Sequence, residues 1–320
     1  MRALVPAHRP GDLTEIEDID VPEPGGHEAL VQVTEFSLNR ADLLYLRSGT
    51  TGFRPGVDAA GIVTAAAADG SGPEPGTRVA FHLPSGGAAA EFAAVPADRL
   101  ARIPDAVPAA TAAAIPLSGL VAAQLIQAAG PLAGATVLGT GMGGGVGQFV
   151  TQLAIAAGAR VIAIVEPDQP AEHLTVTGAE VIHDLAEVPD ASADLVLESV
   201  GGPLGSAAVR KLRPGGLLLW FGQASGQPLH LDFFEVLGAG QALTLRQFVF
   251  GDNPHAGRDL EGLFALVADG RLRVEIGHRH DWSHTPRLLE EMAHGRLRGK
   301  AVLAIASDPD LSEGCSTVTA

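Results

Sequence analysis

A glycine-rich stretch near the middle of the chain combines residue types that bind phosphate. Glycines stand at positions 139, 141, 143, 144, 145 and 147. An apolar run at 135–138 is typical of a buried strand, and apolar residues recur at helical spacing from 149 to 157. Glycine lets the backbone approach a pyrophosphate, and the start of a helix offers it unpaired N–H groups. This order predicts a phosphate-binding turn between a strand and a helix.

A second strand and an acidic residue follow this turn. A β-rich run ends at Glu166, 19 residues after Gly147. A carboxylate about 20 residues beyond the last glycine typically accepts hydrogen bonds from the adenosine ribose of a dinucleotide. The strict G-x-G-x-x-G spacing is broken because Met142 occupies one glycine position, but a frame of Gly141, Gly144 and Gly147 is intact. The alternative, a flexible glycine loop, does not explain the order of the surrounding elements.

Composition and charge exclude several classes of protein. The 320 residues suffice for two domains, and the formal net charge of −16 disfavours nucleic acid and anionic membranes as partners. The single cysteine, Cys315, cannot build a disulfide framework or a cysteine zinc site. The N-terminus lacks the apolar core of a signal peptide, and no strongly apolar run reaches the roughly 18 residues of a membrane span. We expect a cytoplasmic protein without nucleic-acid or membrane partners.

Two styles of patterning divide the chain. Residues 1–100 hold short strand candidates between Pro and Gly clusters, which indicates a small barrel or sandwich with a short helix at 37–45. After Pro116, strand and helix candidates alternate, which favours a doubly wound parallel sheet. The strand candidates there are 135–138, 161–165, 180–183, 193–198, 216–221 and 243–248. Helices at 118–128, 259–269 and 285–293 and a closing strand at 298–305 are also expected.

Short motifs recur along almost the whole chain, at 39–42, 55–63, 76–80, 117–122, 141–147, 198–202, 212–216, 221–222 and 299–303. In type and order they resemble the motifs of the medium-chain dehydrogenase/reductase superfamily, in its zinc-free quinone oxidoreductase (zeta-crystallin-like) branch. The resemblance implies an α/β protein with a GroES-like β-barrel catalytic domain and a Rossmann domain whose doubly wound parallel sheet binds the dinucleotide. The implied boundaries are 1–117 for the catalytic domain, 118–250 for the Rossmann domain, 251–306 for the return to the catalytic domain and 307–320 for a flexible tail.

The resemblance also implies site residues and a cofactor, NAD(P)H. The pyrophosphate would lie on the glycine turn, formed by Gly141, Gly144, Gly145, Val146 and Gly147. The rest of the cofactor trough would be lined by Val200, Gly201, Phe221 and Gly222, with Glu166 at the ribose and Lys300 and Asn39 as further candidates for the cleft.

A catalytic metal is not expected. The zinc-dependent members of the superfamily hold their metal with a Cys and with a His-Glu pair. Here the first position falls at 37–39 and the second at Gly56-Val57-Asp58, so thiolate and imidazole ligands are both missing. Without a Lewis acid, the resemblance implies reduction of a quinone, an enone or another activated double bond, because hydride addition to a conjugated system needs less polarisation.

Three residues near the start of the chain are candidates for catalysis, namely Asn39, Asp42 and Tyr45. Tyr45 could donate a proton to a developing enolate, or it could be a packing residue. Asp42 could accept a hydrogen bond from the ribose or a water, or it could cap a helix locally. His82 could relay protons, but we favour a surface histidine.

Two departures from the family pattern concern the substrate side. Val121 stands where relatives usually carry Thr, and Ala88-Ala89 stand where they often carry an aromatic residue. These changes favour a roomy apolar pocket for a bulky or aromatic substrate, and the expected partner is a small apolar or aromatic molecule. They also leave open two alternatives: a cofactor-binding protein that keeps the fold without redox turnover, and a non-redox enzyme on the same fold.

Charge and strand pattern bear on cofactor choice and on assembly. Glu166 would repel the 2′-phosphate of NADPH, and no Lys or Arg occurs between 161 and 209, so NADH is slightly favoured over NADPH. Arg160 precedes the strand and would have to reach around it to contact a 2′-phosphate.

The run at 243–248 is expected at a sheet edge, where an uncovered apolar strand tends to pair with its symmetry mate. We therefore expect a homodimer.

Overall fold

The computed structural model describes residues 1–8, 12–238, 240, 242–251 and 253–305. The strands are β1 Arg2–Pro6, β2 Thr14–Asp18, β3 Glu28–Leu38, β4 Asp58–Ala65, β5 Arg78–His82, β6 Phe92–Pro96, β7 Ala101–Arg102, β8 Thr136–Gly139, β9 Arg160–Ile164, β10 Glu180–Ile182, β11 Ala193–Glu198, β12 Leu212–Trp220, β13 Thr244–Gln247, β14 Ile276–Asp281 and β15 Lys300–Ala304. The helices are α1 Arg40–Arg47, α2 Ala109–Ala113, α3 Pro116–Ala129, α4 Gly145–Ala156, α5 Glu172–Thr175, α6 Gly202–Val209, α7 Phe233–Gly238, α8 Ala256–Ala268 and α9 Thr285–Ala293.

The chain forms two compact units. Unit 1 comprises Met1–Leu120 and Asp252–Ala320, and unit 2 comprises Val121–Gly251. The boundaries that the sequence suggested, after 117 and after 250, lie close to these divisions. The expected tail at 307–320 falls outside the described residues.

Unit 2 is built on one parallel sheet of six strands in the order β10-β9-β8-β11-β12-β13. The strand order reverses between β8 and β11, so the ends of these neighbouring strands open a crevice of the kind that binds dinucleotides. Apolar side chains from the strands and from α6 form a buried cluster on the sheet, including Leu138, Ile162 and Val196. The predicted doubly wound parallel sheet is therefore confirmed.

Unit 1 contains a sheet of seven strands. Its main path is β14-β15-β3-β4-β5-β7, and β6 pairs with the other half of β3. All its pairs are antiparallel except β14 with β15. The long strand β3 is central because it pairs with three neighbours, and Phe36 and Leu38 on it are buried in the core.

The structure corrects the first expected helix. The sequence predicted a helix over 37–45, but β3 continues to Leu38 and α1 begins at Arg40. Ser37 pairs with both β4 and β15, and Leu38 pairs with β15. Asn39 takes the N-cap position of α1. The local pattern missed this because the sheet partner β15 lies more than 260 residues further along the chain.

The sequence also missed several elements. Among them are the hairpin β1–β2, whose strands form a separate two-stranded sheet, and β14 at the edge of the seven-stranded sheet.

In the described part of the chain, none of the helices combines the length and the apolar composition that crossing a membrane requires.

Candidate functional site

The glycine turn of unit 2 is shaped around Met142. Its side chain is fully buried and lies where a Cβ on Gly139 would come within 2.3 Å of the sulfur. A Cβ on Gly147 would lie 2.1 Å from the carbonyl oxygen of Met142. Gly141 has a φ of +66°, which a side chain would strain. The departure from the strict glycine spacing is thus explained, since two glycines make room for a methionine that anchors the turn in the core.

Helix α4 begins inside this turn. Gly144 is its N-cap in an extended conformation, and Gly145, Val146 and Gly147 form its first turn. The first N–H groups of a helix have no partner within it, and they stand at the positive end of the helix dipole. With no side chain on three of these four residues, a pyrophosphate can approach the N–H groups closely. The turn therefore fits the phosphates of a dinucleotide.

Three strand ends of the sheet meet around Ser199. A Cβ on Gly141 would lie 2.8 Å from Ser199 Oγ, and one on Gly222 would lie 2.9 Å from the Ser199 carbonyl oxygen. Phe221 follows β12 and donates its N–H to the carbonyl of Glu198 at 2.9 Å. The structure thus brings together Gly141, Phe221 and Gly222, which the sequence assigned to one site from separate motifs.

Val200 and Gly201 lie at the same edge, but their backbone groups are engaged internally. Their N–H groups donate to Glu198 Oε1 at 2.7 and 2.8 Å. The Val200 carbonyl accepts from the hydroxyl and the N–H of Ser225 at 2.6 and 2.9 Å. The half-buried Val200 side chain is left as the part that can line a cofactor trough. The sequence motifs predicted no role for Glu198, and the available signal was an acidic residue at the end of a buried strand.

Glu166 is exposed in the loop after β9. Gln169 of the same loop lies against the glycine turn, because a Cβ on Gly143 would come within 2.3 Å of its amide oxygen. The loop that carries Glu166 therefore folds onto the turn. Arg160, the nearest preceding cation in sequence, forms an ion pair with Glu180.

Unit 1 holds a buried polar network centred on Asp58. Asp58 is fully buried, and its carboxylate accepts from His82 Nδ1 at 2.9 Å, from Asn39 Nδ2 at 2.8 Å and from the Leu117 N–H at 3.0 Å to each oxygen. The expected surface position of His82 was wrong, because only 4 % of the residue is exposed. His82 ends β5 opposite Asp58 on β4, and that pairing turns its ring inward.

Lys300 belongs to this network. Its ammonium donates to Asn39 Oδ1 at 2.6 Å, to the Leu38 carbonyl at 3.1 Å and to Ser118 Oγ at 3.4 Å, and it lies 3.9 Å from Asp58 Oδ2. Burial lowers the pKa of Lys300, and the charges of Asp58 and Asp42 oppose that shift. Lys300 and Asn39, which the sequence placed at the cofactor, are thus in contact with each other, and Lys300 fixes the orientation of the Asn39 amide.

Asp42 acts locally in this structure. It is fully buried, and its two oxygens accept the N–H groups of Asn39 at 2.9 Å and of Gly56 at 2.8 Å. Of the two roles considered for Asp42, these bonds match the helix cap. Burial raises the pKa of Asp42 to about 6, and the two N–H bonds limit the rise.

Tyr45 lies on α1, which also carries Asp42. It is 41 % exposed, and its ring packs on Phe53 at 4.9 Å between centroids. Both roles considered for Tyr45, packing and proton donation, are compatible with this position. Ala88 and Ala89 are fully buried in the core cluster of unit 1, so the missing aromatic group is replaced by packed core there. Val121 is also buried, at 8 % exposure.

In the two stretches where the resemblance places the zinc ligands of related enzymes, 37–39 and 56–58, Asn39 and Asp58 form internal hydrogen bonds. Asp58 and Asn39 already satisfy each other and their neighbours. Among the described residues, the one group whose side chains converge as metal ligands would is His8, Glu15 and Glu17 on the first hairpin, an exposed to half-buried set that includes neither Asn39 nor Asp58. His8 Nε2 is paired there with Glu17 at 3.2 Å.

Two family models match the chain. Residues 25–105 match the alcohol dehydrogenase GroES-like domain, and residues 158–303 match the zinc-binding dehydrogenase model. The first match lies within unit 1 and covers β3 to β7, which confirms the predicted GroES-like domain. The second model is named for zinc, but it begins at residue 158 and does not include the stretches 37–39 and 56–58 where the metal ligands were considered.

Full-length relatives carry the name quinone oxidoreductase. One from Pseudomonas aeruginosa is 29 % identical over 91 % of this chain and 95 % of its own. A probable quinone oxidoreductase from Schizosaccharomyces pombe is 28 % identical over 93 % of this chain and 95 % of its own. A mycocerosic acid synthase-like polyketide synthase of Mycobacterium tuberculosis is 33 % identical over 92 % of this chain, which spans 15 % of that much longer protein.

Solved structures share the fold. A mycobacterial protein determined with NADPH superposes with a TM-score of 0.80 at 28 % identity, over 91 % of this chain and 95 % of its own. The Escherichia coli quinone oxidoreductase, also determined with NADPH, gives a TM-score of 0.83 at 23 % identity, over 95 % of this chain and 100 % of its own. The chain therefore belongs to the medium-chain dehydrogenase/reductase superfamily, in its quinone oxidoreductase branch, and is an NAD(P)H oxidoreductase.

Proposed function

We propose that the protein is a zinc-independent reductase that transfers hydride from NAD(P)H to a quinone, an enone or another activated double bond. The observation that carries this proposal is the buried network at the positions of the zinc ligands. The polar atoms of Asp58 and Asn39 are hydrogen-bonded to each other and to His82, Lys300 and the Leu117 N–H. Zinc would have to displace these partners, and the site would still lack thiolate ligands.

The relatives named quinone oxidoreductase support the same substrate class. When bound, a nicotinamide cofactor supplies the hydride, and a conjugated acceptor takes it without a metal because the new charge spreads over the conjugated system. The protein's own part is to bind and orient. The first turn of α4 offers its N–H groups to the phosphates, and Tyr45 offers an exposed hydroxyl as a proton donor for an enolate oxygen.

The activity test follows NAD(P)H oxidation after the protein has been treated with a chelator. We expect turnover with a simple ortho-quinone or a conjugated enone, and little with an unactivated ketone of similar size. Reactions without protein are the control, since quinones oxidise NAD(P)H slowly by themselves. Coenzyme binding without oxidation of any acceptor would favour the binding-protein alternative instead.

Elemental analysis provides the second arm of the test. We expect no stoichiometric zinc and unchanged activity in chelator. One tightly bound zinc per chain, together with loss of activity on its removal, would contradict the metal-free mechanism.

We further propose that the protein is a homodimer that pairs through β13. This strand closes one edge of the parallel sheet, and in the described residues only β12 pairs with it. Large apolar side chains close to it in sequence are exposed, with Phe233, Phe234 and Val249 between 70 % and 77 % accessible. Such a surface favours association with a second copy. Light scattering at micromolar concentration that gives a monomer mass would refute the dimer.

For the coenzyme we propose a slight preference for NADH. The exposed Glu166 is the support, because a carboxylate accepts hydrogen bonds from a ribose 2′-hydroxyl and repels a 2′-phosphate. The ion pair between Arg160 and Glu180 adds to it by engaging the nearest preceding cation. Two of the similar structures were determined with NADPH, so the preference has to be measured on this chain.

A further inference from the structure

Glu198 ends strand β11 with its side chain fully buried. We propose that Glu198 is a positioning residue for the dinucleotide: its carboxylate joins the glycine turn after β8 to the turn after β11 and holds the two at a fixed spacing. The inference rests on the proposed binding of NAD(P)H by unit 2.

One oxygen of Glu198 serves both turns. Oε1 accepts the Thr140 hydroxyl at 3.1 Å, and it accepts the N–H groups of Val200 at 2.7 Å and Gly201 at 2.8 Å. Thr140 lies inside the glycine turn, between Gly139 and Gly141. The two donor N–H groups come from the turn that leads into α6. A shift of this single oxygen therefore disturbs both segments.

Thr140 has no freedom to turn its hydroxyl elsewhere. It is fully buried, and its Oγ1 accepts the Ser199 N–H at 3.0 Å. Its carbonyl accepts the Ser199 hydroxyl at 2.9 Å, and its N–H donates to the Leu197 carbonyl at 3.0 Å. With the hydroxyl oxygen already used as an acceptor, its hydrogen points to Glu198. Thr140 and Glu198 thus form the link between the turns.

Backbone segments pack closely against Glu198 and Ser199, beside this link. A Cβ on Gly205 would lie 2.8 Å from the Glu198 carboxyl carbon, and a Cβ on Gly141 would lie 2.8 Å from Ser199 Oγ. Oε2 of Glu198 is buried without a hydrogen-bond partner among the described residues. A partly unsatisfied buried carboxylate costs stability that an apolar residue would not. Its presence is explained if the position of the two turns matters more than that cost.

The link also decides where an anion can bind. The turn before α6 would otherwise offer the N–H groups of Val200 and Gly201 to a phosphate, but Glu198 fills that place with its own negative charge. The pyrophosphate is thereby directed to the first turn of α4, at a distance from the Val200 side chain that the Thr140–Glu198 bond sets.

The test compares two threonine-to-valine variants in unit 2. Thr140→Val removes the hydroxyl that donates to Glu198 and accepts the Ser199 N–H, and it keeps the shape of the side chain. Thr151→Val is the matched control, because Thr151 is equally buried on α4 and its hydroxyl has no hydrogen-bond partner among the described residues. Titration of the fluorescence of NADH and NADPH gives the dissociation constants, and thermal unfolding is measured on the same samples.

We expect Thr140→Val to raise the dissociation constants about tenfold, because it removes the buried hydrogen bond to the charged Glu198 together with the one from the Ser199 N–H. Thr151→Val should change them less than about twofold. Equal constants for the two variants would overturn the positioning role, even if both lower the melting temperature. A wild-type protein that binds neither coenzyme would overturn the proposed function, and this proposal with it.

A double-mutant cycle with Glu198→Leu tests the link itself. If Thr140 acts mainly through Glu198, Thr140→Val has a much smaller effect on coenzyme binding when Glu198→Leu is already present, and the remaining effect is that of the lost hydrogen bond from the Ser199 N–H. Independent, multiplying effects would contradict the link. Circular dichroism establishes that Glu198→Leu is folded, and if it is not, the comparison of Thr140→Val with Thr151→Val decides alone.

Discussion

Asp58 in unit 1 and Glu198 in unit 2 are both fully buried carboxylates, and they are stabilised in different ways. Asp58 has the His82 imidazole at 2.9 Å and the Lys300 ammonium at 3.9 Å beside its amide and N–H donors. The contacts of Glu198 described above come from a hydroxyl and two backbone N–H groups, all neutral. The charge of Asp58 is thus compensated by a nearby cation, whereas the charge of Glu198 is stabilised by the dipoles of neutral hydrogen-bond donors.

This difference predicts different consequences. Removing one member of a buried ion network leaves the opposite charge uncompensated, which is among the most costly changes in a protein interior. Removing one neutral donor from a carboxylate that keeps two others costs the lesser free energy of one hydrogen bond. We expect the Asp58 network to control the stability of unit 1, and the Glu198 link to control the geometry of the glycine turn.

The largest effect is expected from Lys300→Met, in the buried ion network of unit 1. The substitution keeps the length of the side chain and removes the ammonium near Asp58, and we expect it to lower the free energy of unfolding by about 3–5 kcal/mol. The measurement is urea denaturation followed by circular dichroism.

Lys211→Met is the matched control for that experiment. The Lys211 side chain is only 9 % exposed, but its partner Asp190 is 64 % exposed and keeps its hydration when the lysine is lost. We expect a cost of about 1 kcal/mol, as for a solvated ion pair. If Lys300→Met and Lys211→Met lower the free energy of unfolding equally, the loss of the Lys300 ammonium does not leave a costly uncompensated charge on Asp58.

Asp42→Asn tests a third buried carboxylate through the pH dependence of stability. The pKa of Asp42 is about 6 in the folded protein, above its ordinary value of 3.8, so the folded state binds this proton more tightly than the unfolded state. Asp42 therefore adds stability below about pH 4 that is lost as the pH rises through 6, by up to about 3 kcal/mol. We expect the stability of the wild type, relative to Asp42→Asn, to fall between pH 4 and pH 6.5.

Asp69→Asn provides the opposite sign. Hydrogen bonds from Ser71 and His27 lower the pKa of Asp69 to about 2, so its contribution is present above pH 4 and is lost as the pH falls towards 2. Between pH 4 and pH 6.5 this variant should track the wild type. If the stability of Asp42→Asn also follows that of the wild type over this pH range, burial does not raise the pKa of Asp42 to about 6.

Glu166→Ser carries the smallest expected effect, because this carboxylate of unit 2 is exposed, unlike Glu198. Removing it should raise the ratio of kcat/KM for NADPH to that for NADH about fivefold, which corresponds to roughly 1 kcal/mol at a partly solvated site. Glu172→Ser, at another exposed glutamate six residues further on, should leave the ratio unchanged. A wild-type kcat/KM for NADPH at least tenfold above that for NADH would show that Glu166 does not read the ribose.

Much of unit 2 could be predicted from the sequence, because its signals are local. The strand at Ala193–Glu198 was predicted to the residue, as was the helix at Thr285–Ala293 of unit 1. Periodicity and glycine spacing act over a few residues, and the neighbouring elements of a parallel sheet follow each other along the chain. The glycine turn was found for this reason, even with Met142 at an unexpected position.

The network of unit 1 could not be predicted in this way. Lys300 and Asn39 are 261 positions apart, and His82 and Asp58 are 24 apart on paired strands. Nothing local distinguishes His82 from a surface histidine, and nothing local marks Glu198 as the partner of Thr140, 58 positions earlier. Strand pairing decided which of these side chains face each other in the interior.

The sequence by itself determined the superfamily, the order of the elements and the glycine turn, because each depends on residue types at short and fixed spacings. The tertiary structure alone decided which polar groups are buried, which of them neutralise one another, and that Asp42 caps a helix beside Gly56. The physical reason is that a buried charge is tolerated only where distant segments supply its partners, and those partners exist only once the sheets have formed.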